Sequence, residues 1–200
     1  MTAEPILMII VAYLLGSIPT AYIVGRWKAN IDITQHGSGN VGGTNAFRVL
    51  GAGPALLVAF IDISKALVPT WWAARLFGSA TWPTVVTALA AILGHNYSAY
   101  LGLRGGKGIA STLGACIVLF PRQLLILLPL AVLVVAITRY VSLGSILLVV
   151  SLPLVLIAQR QVAAPEIAFA MSVALLGLWR HRSNIERLLR GTENRLGQKK

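Results

Sequence analysis

Seven apolar stretches, at about residues 5–25, 54–74, 82–100, 108–120, 122–138, 142–159 and 164–180, take up most of this 200-residue chain. Hydrocarbon offers the backbone no hydrogen-bond partners, so a segment that crosses it must be a helix or part of a closed barrel. None of the stretches alternates as a barrel strand does, which leaves helices. With 56% hydrophobic against 12% charged residues, the chain is not an ordinary soluble domain. The expectation is an all-α integral membrane protein of about seven transmembrane helices, folded as a single membrane-embedded domain over residues 1–200. The fourth stretch is shorter than the roughly 20 residues that cross ~30 Å of hydrocarbon upright, so it is expected to be tilted, broken or re-entrant. The first reads as a retained span, because Met1 to Pro5 carries an acid and no basic start. The single cysteine, Cys116, can make neither an internal disulfide nor a multi-cysteine metal site.

The formal net charge of +11 would point to nucleic acid on a soluble surface. Here the bilayer accounts for it, since basic residues collect in cytoplasmic loops and meet anionic headgroups there. On a seven-span reading, 13 of the 17 Lys and Arg residues fall on one side, among them Arg26, Lys28, Arg48, Arg104, Lys107, Arg139, Arg180, Lys199 and Lys200. The other side receives Arg75, Arg122 and Arg160, with Lys65 inside the second stretch. That asymmetry places the C-terminus in the cytoplasm and the N-terminus outside. Five spans with two re-entrant stretches would keep both assignments. The tail from Ser183 to Lys200 reads as a short amphipathic helix, with Ile185, Leu188 and Leu189 on one side, and then a basic end.

Four polar clusters fall on the basic side. The first loop carries His36-Gly37-Ser38-Gly39-Asn40-Val41-Gly42-Gly43-Thr44-Asn45 and then Arg48, a composition suited to folding N–H groups and hydroxyls around an oxyanion. An ordinary polar turn uses the same letters; the nearby arginine favours the anion. The second cluster is Arg104-Gly105-Gly106-Lys107-Gly108, running into the fourth stretch. It is no nucleotide loop of the Walker type, because Leu101 stands at the first glycine position and Gly108 replaces the magnesium-holding Ser or Thr. What remains is a cationic nest at a helix start. The third cluster sets Ser142 and Ser145 one helical turn apart beside Arg139, and the fourth puts His181 and Asn184 on one face. Serines of this kind commonly bond back to their own helix, and a lone histidine is usually structural. The coincidence of four clusters on one face favours a site that binds phosphate and a lipid chain together. Asp62 and Lys65, spaced i, i+3 in the second stretch, read as a structural ion pair, while His95 stays ambiguous.

At these residues the sequence resembles the bacterial acyl-phosphate:glycerol-3-phosphate acyltransferases of the PlsY type. The likeness runs through Leu15-Gly16-Ser17-Ile18-Pro19, the first loop with Arg48, Gly94-His95-Asn96, Gly105 to Gly108, Arg139 to Leu143, and Arg180-His181-Arg182 with Asn184-Ile185. It departs from the family's usual pattern at Gly43, Ala66, Ser98 and Ser183, where Ala, Gly, Pro and Glu are common.

The resemblance implies acyl transfer from acyl phosphate to the sn-1 hydroxyl of glycerol 3-phosphate in the bacterial cytoplasmic membrane, with the active site at the cytoplasmic face. It implies no cofactor, no metal and no nucleic acid, membrane lipid as surroundings, and leaves room for a soluble acyl-phosphate-producing enzyme as partner. Ser38, Arg48 and Lys107 are then expected to hold phosphoryl oxygens, with Gly37, Gly39, Asn40, Gly105, Gly106 and Gly108 shaping the backbone around them. Thr44, Asn45, Ser142, Ser145, His181 and Asn184 are expected to orient glycerol 3-phosphate, and His181 or a substrate phosphate oxygen to take the hydroxyl proton. The competing class is a transporter or channel for phosphate or another small anion, which would spread cations along a pathway instead of one face. A metal-dependent lipid phosphotransferase would need clustered carboxylates, and six acidic residues spread over the chain do not supply them.

Overall fold

A computed structural model of the chain describes residues 3–159 and 162–197, so Arg160, Lys199 and Lys200 of the charge count lie outside the described residues. The fold is all-α: its named elements are ten α-helices and two short 3-10 turns among the described residues. They divide between Leu119 and Phe120 into two compact units. The first contains α1 (Ala3–Ser17), α2 (Thr20–Ala29), α3 (Gly43–Leu50), α4 (Ala52–Phe77), α5 (Trp82–Asn96) and α6 (Ile109–Leu119). The second contains α7 (Pro121–Thr138), α8 (Val141–Ala158), α9 (Ala164–Arg180) and α10 (Arg182–Leu189).

All seven apolar stretches are largely helical, but among the described residues four helices, not seven, are long and apolar enough to cross a membrane: Ala3–Ala29, Ala52–Phe77, Pro121–Thr138 and Val141–Ala158. The other three, α5, α9 and α6, have 15, 17 and 11 residues. At 1.5 Å per residue these give about 22, 25 and 16 Å of helix against ~30 Å of hydrocarbon. The shortfall falls hardest on α6, the stretch the sequence marks as weakest.

Both units turn the soluble pattern inside out. Leu125, Ile126 and Ile137 of α7 are 68–77% exposed, while Thr70, Thr84, Thr87, Asn96 and Ser111 are buried. Small residues let the helices approach closely, as membrane helices require when no hydrophobic effect drives them together. In the first unit α1 meets α5 at Gly16 and Gly94, where a side chain would strike the backbone of Ala91 and of Tyr13. Gly114 of α6 lies on the Ile63 carbonyl of α4 in the same way, and the buried Ser111 hydroxyl donates to the Asp62 carbonyl at 3.0 Å. In the second unit Gly144 of α8 lies on the Ala131 carbonyl of α7, and Phe120 and Phe169 pack with ring centroids 5.7 Å apart.

The break between α1 and α2 follows from Pro19, which has no N–H to continue the ladder. It frees carbonyls for other partners. The Ser17 carbonyl accepts from the Ser98 hydroxyl, and the Ile18 carbonyl accepts from the Lys65 ammonium at 3.0 Å.

Candidate active site

The first glycine loop hangs from two fixed points. Asp32 caps the 3-10 turn Ile33–Gln35, accepting from the Thr34 hydroxyl at 2.7 Å and its N–H at 3.0 Å. Those two bonds, the hydroxyl first, hold the Asp32 carboxyl below the usual carboxylate range. At the far end Asn45, buried in α3, donates to the carbonyls of His36 at 3.0 Å and Ile33 at 3.3 Å. Its Oδ1 accepts from the Ser38 N–H at 2.8 Å. Between them Gly37 and Gly39 take φ of 61° and 69°, and a side chain on Gly37 would strike the Asn45 amide. The consequence is an exposed Ser38 whose backbone is pinned, with Arg48 exposed on the last turn of α3 and Asn40 and Thr44 half-buried. Asn45 stands at the expected place, but its amide is committed to the loop's own backbone.

The second loop folds over the end of α5. The Gly106 N–H donates to the His95 carbonyl at 3.0 Å, and Ser98 and Arg104 form an antiparallel bridge that closes the turn. A side chain on Gly105 would strike that same carbonyl, one on Gly106 would strike the His95 imidazole, and one on Gly108 the Asn96 amide. Gly108 also needs its φ of 82°. Each glycine in this run is therefore fixed by contact, and Lys107, half-buried, stands two residues before the start of α6. An anion there would meet the ammonium together with the helix N-terminal N–H groups.

Below this loop sits the Asp62 and Lys65 pair, with Lys65 Nζ 2.8 Å from Asp62 Oδ1, as the spacing predicts. His95 Nδ1 lies 3.6 Å from the same oxygen. His95 thus leaves its ambiguity as a buried member of a charged cluster.

In the second unit, Ser142, His181 and Asn184 are buried and Ser145 is half-buried. His181 links α9 to α10, and its Nδ1 lies 2.8 Å from the Gly177 carbonyl. A carbonyl only accepts, so Nδ1 carries the hydrogen and Nε2 of the neutral ring is the basic nitrogen. The Ser145 hydroxyl donates back to the Val141 carbonyl at 2.9 Å. Glu193, in none of the four sequence clusters, joins the third and fourth of them here. This buried carboxylate accepts from Asn184 Nδ2 at 2.7 Å, the Ser142 hydroxyl at 3.0 Å and Arg187 Nε at 2.8 Å. The following residues continue across the α7–α8 turn, where Arg139 Nε and Nη2 donate to the Leu196 carbonyl. In sequence Glu193 is only one of two acids, with Glu186, in a basic tail. Among the described residues no three His, Cys, Asp or Glu side chains stand together as a metal site requires. The chemistry on offer is anion binding, with the His181 imidazole in the second unit.

Comparison with known proteins agrees with this chemistry. A family model described as glycerol-3-phosphate acyltransferase matches residues 6–191. The chain is 43% identical to the glycerol-3-phosphate acyltransferase of Halalkalibacterium halodurans, over 97% of this chain and 96% of that one. It is 45% identical to that of a Synechococcus strain, again over 97% and 96%. The fold matches a crystal structure of PlsY, an integral membrane glycerol 3-phosphate acyltransferase in its glycerol 3-phosphate form, with TM-score 0.93, 37% identity and coverage of 97% and 96%. The lysophosphatidic acid form of PlsY matches with TM-score 0.90 over the same shares of the two chains.

Proposed function

The chain belongs to the glycerol-3-phosphate acyltransferase family, and we propose that it moves a fatty acyl group from acyl phosphate to the sn-1 hydroxyl of glycerol 3-phosphate. The products are lysophosphatidic acid and inorganic phosphate, the first acylation of phospholipid synthesis. The names of the two PlsY forms support the acceptor and the product. The observation that carries the donor side is the Gly105 to Gly108 loop, which sets Lys107 at the start of α6 on a backbone with no room for side chains.

In this reading Ser38, Arg48 and Lys107 hold phosphoryl oxygens, and Thr44, Ser142, Ser145, His181 and Asn184 orient glycerol 3-phosphate. Asn45 serves through the Ser38 backbone it pins. The sn-1 oxygen attacks the acyl carbonyl carbon, the bond from that carbon to the phosphate oxygen breaks, and phosphate leaves with the electron pair. The hydroxyl proton passes to His181 Nε2 or to the departing phosphate. An acyl phosphate is already activated, so no protein nucleophile is needed, and positioning plus electrostatic stabilisation supply the rate.

The excess of basic residues supports a cytoplasmic C-terminus, an N-terminus outside and an active site at the cytoplasmic face of a bacterial inner membrane. A soluble enzyme that makes the acyl phosphate would deliver it there. In purified protein, Lys107→Ala is expected to lower phosphate release from acyl phosphate and glycerol 3-phosphate by on the order of 10²-fold or more. Undiminished turnover would overturn the assignment of Lys107.

A further inference from the structure

Lys107 can hold a phosphoryl oxygen only if its loop keeps one shape, and that shape is imposed from beneath. Gly106 donates its N–H to the His95 carbonyl, and its α-carbon lies so close to the imidazole that any side chain would strike Nε2. The ring's orientation therefore fixes how far the loop can descend. On its other edge the ring meets Asp62 through Nδ1 at 3.6 Å. Asp62 is held in turn by Lys65 at 2.8 Å, and Lys65 is tied to the Ile18 carbonyl at 3.0 Å, a carbonyl released by the Pro19 break. Asp62, Lys65 and His95 are all buried, with side chains at most 5% exposed.

Such burial of charges in an apolar surround is costly, and a pair of well-packed apolar residues would serve stability as well. A cluster that costly, seated directly under the Gly106 turn, points to a task other than holding helices together. We propose that Asp62, Lys65 and His95 form a positioning device that seats the Gly105 to Gly108 loop and thereby sets where Lys107 stands. None of the three needs to touch substrate. The device links the break in the first membrane helix to the Lys107 loop through three side chains that end on backbone groups of Ile18 and Gly106, within one compact unit.

The inference rests on the assignment of the Lys107 loop to phosphoryl oxygens, and the test separates the two. In purified protein, kcat/KM for acyl phosphate and for glycerol 3-phosphate is measured for Gly106→Ala, His95→Ala, the double variant and Lys107→Ala, with thermal unfolding followed for each. Gly106→Ala alone pushes the loop off the imidazole and is expected to lower kcat/KM by on the order of 10²-fold. In the double variant the methyl group occupies the space the ring has left, so the loss is expected to be no larger than that of His95→Ala alone. Losses that multiply, with all variants folded, would overturn the seat while leaving the loop a phosphate site. If both Gly106→Ala and Lys107→Ala keep full activity, the loop assignment itself fails and the positioning role falls with it.

A second variant guards against misfolding. Asp62→Asn combined with Lys65→Met removes both charges together and is expected to keep the unfolding temperature within a few degrees while lowering kcat/KM about tenfold. A lowered unfolding temperature with unchanged kcat/KM in the folded fraction would show a purely structural pair and overturn the proposal.

Discussion

A single amide decides the shape of the first loop. Asn45 uses both hydrogens and its oxygen on loop backbone, satisfying the Ile33 and His36 carbonyls and the Ser38 N–H. Asn45→Ala removes all three bonds; the Ile33 and His36 carbonyls keep the N–H groups of His36 and Gly39, so the Ser38 N–H loses most, and each lost hydrogen bond costs about 0.5–1.5 kcal/mol. Thermal unfolding in detergent should therefore fall by several degrees for Asn45→Ala. Asn45→Asp keeps the acceptor for Ser38 but loses both donors, so its unfolding temperature is expected between those of Asn45→Ala and the parent. Equal unfolding temperatures for the parent and Asn45→Ala would contradict the clamp. The glycine-rich turns that carry Ser38 and Lys107 were legible as turns because each is a contiguous run, whereas the use of the Asn45 amide on the loop's own backbone was not. Glu193 was not, because its partner Ser142 lies 51 positions away and its neighbours read as topology charge. Ser145 shows the opposite case, in which the bland alternative, a hydroxyl bonded back to its own helix, is what the structure contains.

At the scale of elements, the Lys107 loop is only as fixed as the helices on either side of it. The helix after it, α6, has 11 residues, too few to hold itself by propensity, so it depends on its contact with α4. That contact turns on Gly114, over which the Ile63 carbonyl lies directly, and on Ser111, which donates to the Asp62 carbonyl. Gly114→Ala inserts a methyl group against backbone, and overpacking of this kind costs about 1–3 kcal/mol. The expected result is a lower unfolding temperature together with loss of activity, since α6 carries the loop's end. Gly53, at the start of α4, has open space where a side chain would stand, so Gly53→Ala should leave both nearly unchanged. Equal effects of the two substitutions would remove the argument from close approach. Although α3, inside the first polar loop, was not legible, the helices within the apolar stretches were, because lipid permits no other backbone solution. Their lengths were not: Pro19, the Gly108 turn and the short connections cut the stretches where an average of hydropathy cannot see.

For the whole molecule, parity turns these lengths into a constraint. Four helices are long enough to cross, and an even number of crossings would return the chain to the side it left. The basic residues instead support an N-terminus outside and a C-terminus in the cytoplasm, which needs an odd number. One or all three of α5, α6 and α9 must then cross as well, by tilting into a locally thinned bilayer or by extending through their flanking turns. At fractions of a kcal/mol per ångström, the shortfalls of about 5 Å for α9, 8 Å for α5 and 14 Å for α6 make α9 the least costly to bring across and α6 the most. Single cysteines at three exposed positions test this: Glu4→Cys in the first turn of α1, Ser79→Cys between α4 and α5, and Ser183→Cys in α10. They are placed in a Cys116→Ala background, although the native thiol is buried. With a membrane-impermeant maleimide, Glu4→Cys and Ser79→Cys should label on intact cells and Ser183→Cys only after the membrane is opened. Labelling of Glu4→Cys and Ser183→Cys from the same side would mean an even count, and the positive charge of the chain would then need an explanation other than orientation.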